Sequence, residues 1–313
     1  MAHNLALVFP GQGSQYVGMG KALSGDFAAA KNTFAEADDA LAFPLSQLCF
    51  TGPEEDLKLT ENTQPAILAT SVAAYRVLQG ETPLRPTLVA GHSLGEYSAL
   101  VAAGALAFRD AVKVVRERGR LMQQAVPAGA GAMAVVLGLD RDAMSALCAE
   151  VSGDEIVAPA NFNGGGQIVI AGTKRGVERA AFLARERGAK RVLDLPVSAP
   201  FHCPLMKPAA EGLEALLRDV SVQPLKVGVV TNVEAEVNWN SDRVKSLLVE
   251  QTTHPVRWEE SVKKLDELGF RKVIEVGPGK VLKGLIKRIE PAMTVENFDL
   301  PQDLSKVLAV MQS

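Results

Sequence analysis

The chain has 313 residues, 47% of them hydrophobic and 22% charged, which fits a globular protein with one large domain, or a large and a small one. A net charge of -3 argues against nucleic acid as the main partner and leaves room only for local basic patches. Cys49, Cys148 and Cys203 are scattered without a Cys-x-x-Cys pair, so neither a disulfide framework nor a metal site is expected, and the compartment reads as reducing and cytoplasmic. Residues 1–10 lack a basic segment and a long apolar run, and the longest apolar stretch, 99–108, is too short to span a bilayer. Neither a signal peptide nor a membrane partner is therefore expected.

Residues 5–9 form an apolar run that reads as a buried strand, and it ends in Pro10-Gly11-Gln12-Gly13-Ser14-Gln15. Tyr16 stands where a dinucleotide-binding loop would need its third glycine, so a nucleotide site is not expected. The loop is better suited to supply a backbone N–H, with Gln12 as the candidate, to an oxyanion formed elsewhere; a plain tight turn is the other reading. Residues 62–78 are mostly small or apolar behind a cap-like Asn62 and predict a buried helix.

Residues 87–90 have strand character and run into Gly91-His92-Ser93-Leu94-Gly95-Glu96, after which 94–104 reads as a small-residue helix. Two glycines flanking a serine between a buried strand and a helix match a nucleophile elbow. They clear space for a strained turn that pushes the hydroxyl out beside the free N–H groups of a helix start. On the predicted helix 108–125, Val112, Val114, Val115, Gly119, Leu121 and Met122 share one arc, and Arg118 falls inside it. A buried guanidinium needs an anion or several carbonyls. A structural ion pair would satisfy it, and so would the carboxylate of a substrate.

From 129 the pattern changes to strand 132–139, a helix 140–151 capped by Asp140, strands 156–162 and 167–171 around a run of glycines, helix 173–187 and strand 190–195. This βαββαβ order predicts a small ferredoxin-like subdomain at 129–196, inserted between 1–128 and 197–313 of a large catalytic domain, with hinges at 127–131 and 196–200. The large part alternates strands and helices again, which predicts an α/β-hydrolase-like, mostly parallel sheet with its sites at the carboxyl ends of the strands. Of the four histidines, His3 is terminal and the ring of His92 is expected to point away from Ser93, leaving His202 and His254 as bases. His202 is hemmed by prolines. Cys203 beside it lacks a helix start that would lower its pKa and is discounted as a nucleophile. A serine ester hydrolase remains an alternative, with Asp194 as its acid.

The motifs Gly11-Gln12-Gly13-Ser14-Gln15, Gly91 to Glu96, Arg118 in its helix, Asn161-Phe162-Asn163, Pro200-Phe201-His202, Gln251 with Pro255-Val256 and Trp258, and Glu275 to Gly279 occur in one order. Together they resemble the malonyl-CoA:acyl carrier protein transacylase family from the first strand to the last helices. That resemblance implies a ping-pong transfer of malonyl from a coenzyme A thioester to acyl carrier protein, in fatty acid or polyketide synthesis, by a monomer that needs no cofactor. It also implies Ser93 as nucleophile, His202 as base, Gln251 as the carbonyl that orients it, and the amides of Gln12 and Leu94 as oxyanion hole. Arg118 would hold the malonyl carboxylate, with Phe201, Asn161 and Asn163 against the acyl group. Free-standing members frequently have serine where Phe201 stands. In related polyketide acyltransferase domains, phenylalanine there goes with malonyl rather than methylmalonyl units, since a ring would crowd an α-methyl branch.

Overall fold

The computed structural model describes residues 5–153, 155–196 and 199–312. His3, part of the 1–10 leader reading, and Val197 and Ser198 of the second expected hinge lie outside the described residues. The described residues form ten strands: β1 (Leu5–Phe9), β2 (Leu88–Gly91), β3 (Gly131–Leu137), β4 (Val157–Phe162), β5 (Gln167–Thr173), β6 (Arg191–Asp194), β7 (Gly228–Val230), β8 (Val237–Asn238), β9 (Lys272–Val276) and β10 (Thr294–Phe298).

One sheet has the order β10-β9-β1-β2-β7-β8, parallel except for the β7/β8 pair. Strand β1 shows why its sequence is apolar at every position. Leu5, Leu7 and Phe9 pack into the core on one face, Ala6 and Val8 into the core on the other. Helices cover both faces, so no residue of such a strand meets water. The short β8 was not anticipated from the sequence, and the 10–59 stretch folds into helices Lys21–Asp26, Ala28–Leu41, Leu45–Thr51 and Glu54–Lys58 that pack beside the long helix Thr60–Glu81. That long helix begins two residues before Asn62, which is not its cap. The Asn62 amide donates instead to the Asp56 carbonyl at 2.9 Å and ties down the preceding turn.

The second sheet, β4-β5-β3-β6, is antiparallel throughout and is backed by helices Arg141–Val151 and Lys174–Glu186. Asp140 caps the first of these by accepting from Ala143 N at 2.8 Å. This sheet has a core of its own, including Val136, Met144, Leu147, Phe162 and Ile170. Its other face joins Met122, Phe201 and Met206, from the segments that flank this sheet in the chain, in a shared cluster with Met133 and Ala160. Val256 exchanges main-chain hydrogen bonds with Ala160 and Phe162, both at 2.9 Å, and so stitches the segment before helix Trp258–Glu267 to β4.

Candidate active site

Strand β2 feeds directly into helix Gly95–Ala102, and the turn between them leaves Ser93 at φ +52°. A side chain on either flanking glycine would prevent this. A Cβ on Gly91 would lie 2.0 Å from the Gly95 carbonyl carbon, and one on Gly95 would lie 2.0 Å from the Phe9 carbonyl oxygen. The glycines are therefore steric requirements of a turn pressed against the neighbouring strand, and Ser93 holds the strained conformation expected at an elbow. Ser93 follows β2, Gln12 follows β1 and Asn232 follows β7, so three adjacent strands of the parallel sheet deliver residues to one end, where sites of such sheets belong.

His202 enters from the loop after the second sheet, itself at φ +58°, with Nε2 at 2.7 Å from Ser93 Oγ. Its Nδ1 lies 2.8 Å from the main-chain carbonyl of Gln251. A carbonyl can only accept, so Nδ1 carries the proton, Nε2 presents a lone pair and the Ser93 hydroxyl donates to it. Burial of the ring, helped by the charge of Arg118, pushes its pKa down to about 3, so the imidazole is neutral at ordinary pH. His254, the other base considered, is exposed and bonded to the Glu250 carbonyl. His92 turns its Nε2 to Asn163 Oδ1 at 2.8 Å, away from the hydroxyl. Asp194 is exposed on β6, paired across to Ala134, so the hydrolase-type acid expected of it does not face the base.

Arg118 is 2% exposed in helix Phe108–Gln124. Its Nη1 donates to Gln64 Oε1 at 2.7 Å and its Nη2 to Gln251 Oε1 at 3.0 Å and, more weakly, to Ser93 Oγ at 3.4 Å. Nε has no partner, and among the described residues no carboxylate forms an ion pair with this guanidinium. The structural ion pair weighed for Arg118 is therefore not what holds it. Two neutral amide oxygens fix the plane of the cation and leave it without a direct ion pair next to the serine, with Glu96 acting on it only across the Gln251 amide and Tyr97 5.4 Å beneath it.

A cavity of about 120 Å³ unites these groups, lined by Gln12, Ser93, Leu94, Arg118 and His202 on its polar side and by Met122, Met133, Leu195 and Phe201 on its apolar side. No described group accepts from the backbone N–H of Gln12 or Leu94, so both remain available to an oxygen placed beside Ser93. Asn161 lines the cavity from β4, whereas Asn163 acts one layer out, through His92. The loop of Glu275 to Gly279 supports the Gln12 loop. Glu275 accepts from Leu282 and Lys283 N at 3.0 and 2.8 Å, and Gly279 N donates to Asp299, which also accepts from Tyr16. Gln64, Glu96, Asn232 and the side chain of Gln251 had no assigned part in the sequence reading. A glutamine in an otherwise small and apolar helix was the one signal that could have found Gln64.

The acyl transferase domain family matches residues 6–297. The malonyl CoA-acyl carrier protein transacylase of Bacillus subtilis is 51% identical over 309 residues, 98% of this chain and 97% of the relative. A crystal structure of an acyl carrier protein S-malonyltransferase from Vibrio cholerae superposes with a TM-score of 0.95 at 48% identity, covering 97% of this chain and 99% of that one. A type II PKS acyl carrier protein in complex with its malonyl-transacylase matches with a TM-score of 0.95 at 46% identity over 99% of each chain. With the elbow, the oriented imidazole and an arginine free of direct ion pairs in one cavity, these similarities make the chain a member of the acyl transferase family and, within it, of the malonyl-CoA:acyl carrier protein transacylases.

Proposed function

We propose that the protein transfers malonyl from malonyl-CoA to the phosphopantetheine thiol of acyl carrier protein, and so supplies malonyl units for fatty acid or polyketide synthesis. The observation that carries this is the position of Ser93 Oγ, 2.7 Å from His202 Nε2 and 3.4 Å from Arg118 Nη2 in a single cavity. His202 takes the hydroxyl proton as Ser93 attacks the thioester carbonyl, and the oxyanion is met by the N–H groups of Gln12 and Leu94, each donor contributing about 3 kcal/mol to the lowered barrier. The tetrahedral intermediate collapses, the carbon–sulfur bond breaks, and the thiolate takes the proton back from His202 Nε2. The malonyl carboxylate pairs with Arg118, whose Nε N–H has no partner and whose Nη2 is held toward Ser93 only by a weak 3.4 Å contact that the carboxylate can replace. The carrier thiol then gives its proton to the same His202 and attacks the serine ester.

Nucleophile, base, oxyanion donors and carboxylate clamp are all supplied by the chain, and exchange between thioester and ester changes no oxidation state, so no cofactor is required. The separate core of β3 to β6 supports reading 129–196 as an inserted subdomain. Three unbridged, buried thiols fit a cytoplasmic setting. The carrier partner is acidic and is expected on a basic surface. The candidates are Lys174, Arg175, Arg185, Arg187, Lys190 and Arg191 on the insert and Arg271, Lys272, Lys283, Lys287 and Arg288 near the end, and charge reversal at Lys190 and Arg191 should raise the KM for carrier. Incubation with labelled malonyl-CoA and peptide mapping tests the reading. Label is expected on the peptide holding Ser93, discharged by a pantetheine thiol faster than by water. Release to water alone would favour a hydrolase.

A further inference from the structure

Beneath the elbow lies a buried acid that the scheme above does not use. Glu96, 2% exposed, sits in the first turn of helix Gly95–Ala102, and its Oε2 accepts from two donors, Asn232 N at 3.1 Å and Gln251 Nε2 at 2.7 Å. Each donor leads to one half of the reacting pair. Asn232 Oδ1 accepts the N–H of Ser93 at 2.6 Å while its Nδ2 donates to the Gly91 carbonyl at 2.6 Å, so this one amide spans the strained turn. Gln251 Nε2 also donates to the Ser93 carbonyl at 3.1 Å, and the main-chain carbonyl of the same residue holds His202 Nδ1.

The acceptor that orients the base is therefore a main-chain oxygen, which has no side-chain freedom to follow the imidazole. Its place is set by whatever holds residue 251, and through the side chain that means Glu96. A carboxyl in this position is costly for the fold. It is desolvated, its oxygen meets only neutral donors, and its pKa is pushed up by burial to about 7. An apolar side chain of similar size would be the more stable choice if packing were all that mattered. We propose that Glu96 is a positioning residue for the acyl transfer proposed above, a buried acceptor that sets Ser93 and His202 in register through Asn232 and Gln251. Both hydrogen bonds fall on one oxygen, so a glutamine presenting its carbonyl oxygen there keeps both.

Rapid mixing of the full-length protein with malonyl-CoA, following release of coenzyme A, gives the number of competent sites from the burst amplitude and the acylation rate from its time course. Glu96→Ala is expected to keep its amplitude and to acylate about ten- to a hundredfold more slowly, the scale of a small misplacement of reacting groups. Its KM for malonyl-CoA is expected within about twofold of the original, and Glu96→Gln is expected to recover most of the loss. An unchanged rate, a loss that glutamine does not repair, or a fall in amplitude at unchanged rate, which is what a purely structural role would give, overturns the proposal. If Glu96→Ala does not fold, Asn232→Ala loosens only the serine arm, with a rate loss of about tenfold expected and an unchanged rate counting against the idea. A missing burst in the unaltered protein would instead sink the acyl-transfer reading, before any variant is compared.

Discussion

Strands β1, β2 and β7 lead into Gln12, Ser93 and Asn232 at one end of their sheet, whereas the antiparallel sheet lines the cavity with Met133 from β3 and Asn161 from β4. The parallel sheet contributes the groups that bond to the reacting atoms or hold those that do, on strands buried on both faces and locked by neighbours on both sides. The antiparallel sheet contributes a wall, with Met133 and Asn161 lining the cavity directly and Asn163, just past β4, bracing His92 from one layer out. The difference teaches that chemistry and shape are divided between two separately packed bodies. The chemistry needs positions held within a fraction of an ångström, and the wall needs only volume and polarity.

That division can be broken most severely on the chemical side. Ser93→Ala and His202→Ala should each lower kcat by about 10⁴-fold or more, with no malonyl-protein adduct seen by mass spectrometry, because the two act as one unit. Met133→Ala, on the wall, should leave the adduct forming. Next in size is Arg118→Ala, expected to lose malonyl preference over acetyl by roughly two orders of magnitude in kcat/KM, since a buried cation without a direct ion pair is what separates the two substrates. Unchanged discrimination would place the clamp elsewhere. Phe201→Ala should be milder, raising the relative kcat/KM for a methyl-branched malonyl thioester about tenfold, the scale of one methyl group in a pocket.

The smallest effect is on stability. The folded protein refuses a proton at His202 until about pH 3, while the unfolded imidazole accepts one near 6.5, so stability drops as pH falls through that window. Glu96 and Glu275, raised from 4.5 to about 7, act in the opposite sense between those values, because the folded state there holds the extra protons. The net loss is therefore expected below about pH 4.5, read as the urea midpoint against pH, and His202→Gln should flatten it.

Much of this was legible locally. The apolar β1 run, the glycines around Ser93, the alternation of β3 to β6 and the placement of Arg118 on the buried arc of its helix each follow from steric or hydrophobic constraints within a few neighbouring residues. Where the reading slipped, a partner outside the local motif had intervened. Asn62 looks like a helix cap, but the Asp56 carbonyl claims its amide and the helix starts earlier. Glu96 stands inside the elbow motif, but its partners lie 136 and 155 positions away, and no local pattern names them.

By itself, the sequence indicated most of the strands, where the chain must turn through glycine, and Ser93 and Arg118 as candidates, because backbone sterics and burial periodicity act over short spans of chain, whereas the choice of His202 over His254 came only with the family resemblance. Only the tertiary structure decided that Ser93, His202, Arg118 and Gln251 share one cavity, that the cation is held by amides instead of a carboxylate, and that Glu96 ties the elbow to the base. Those relations depend on strand order and on how two packed bodies meet, and these are settled by the summed packing of the whole chain.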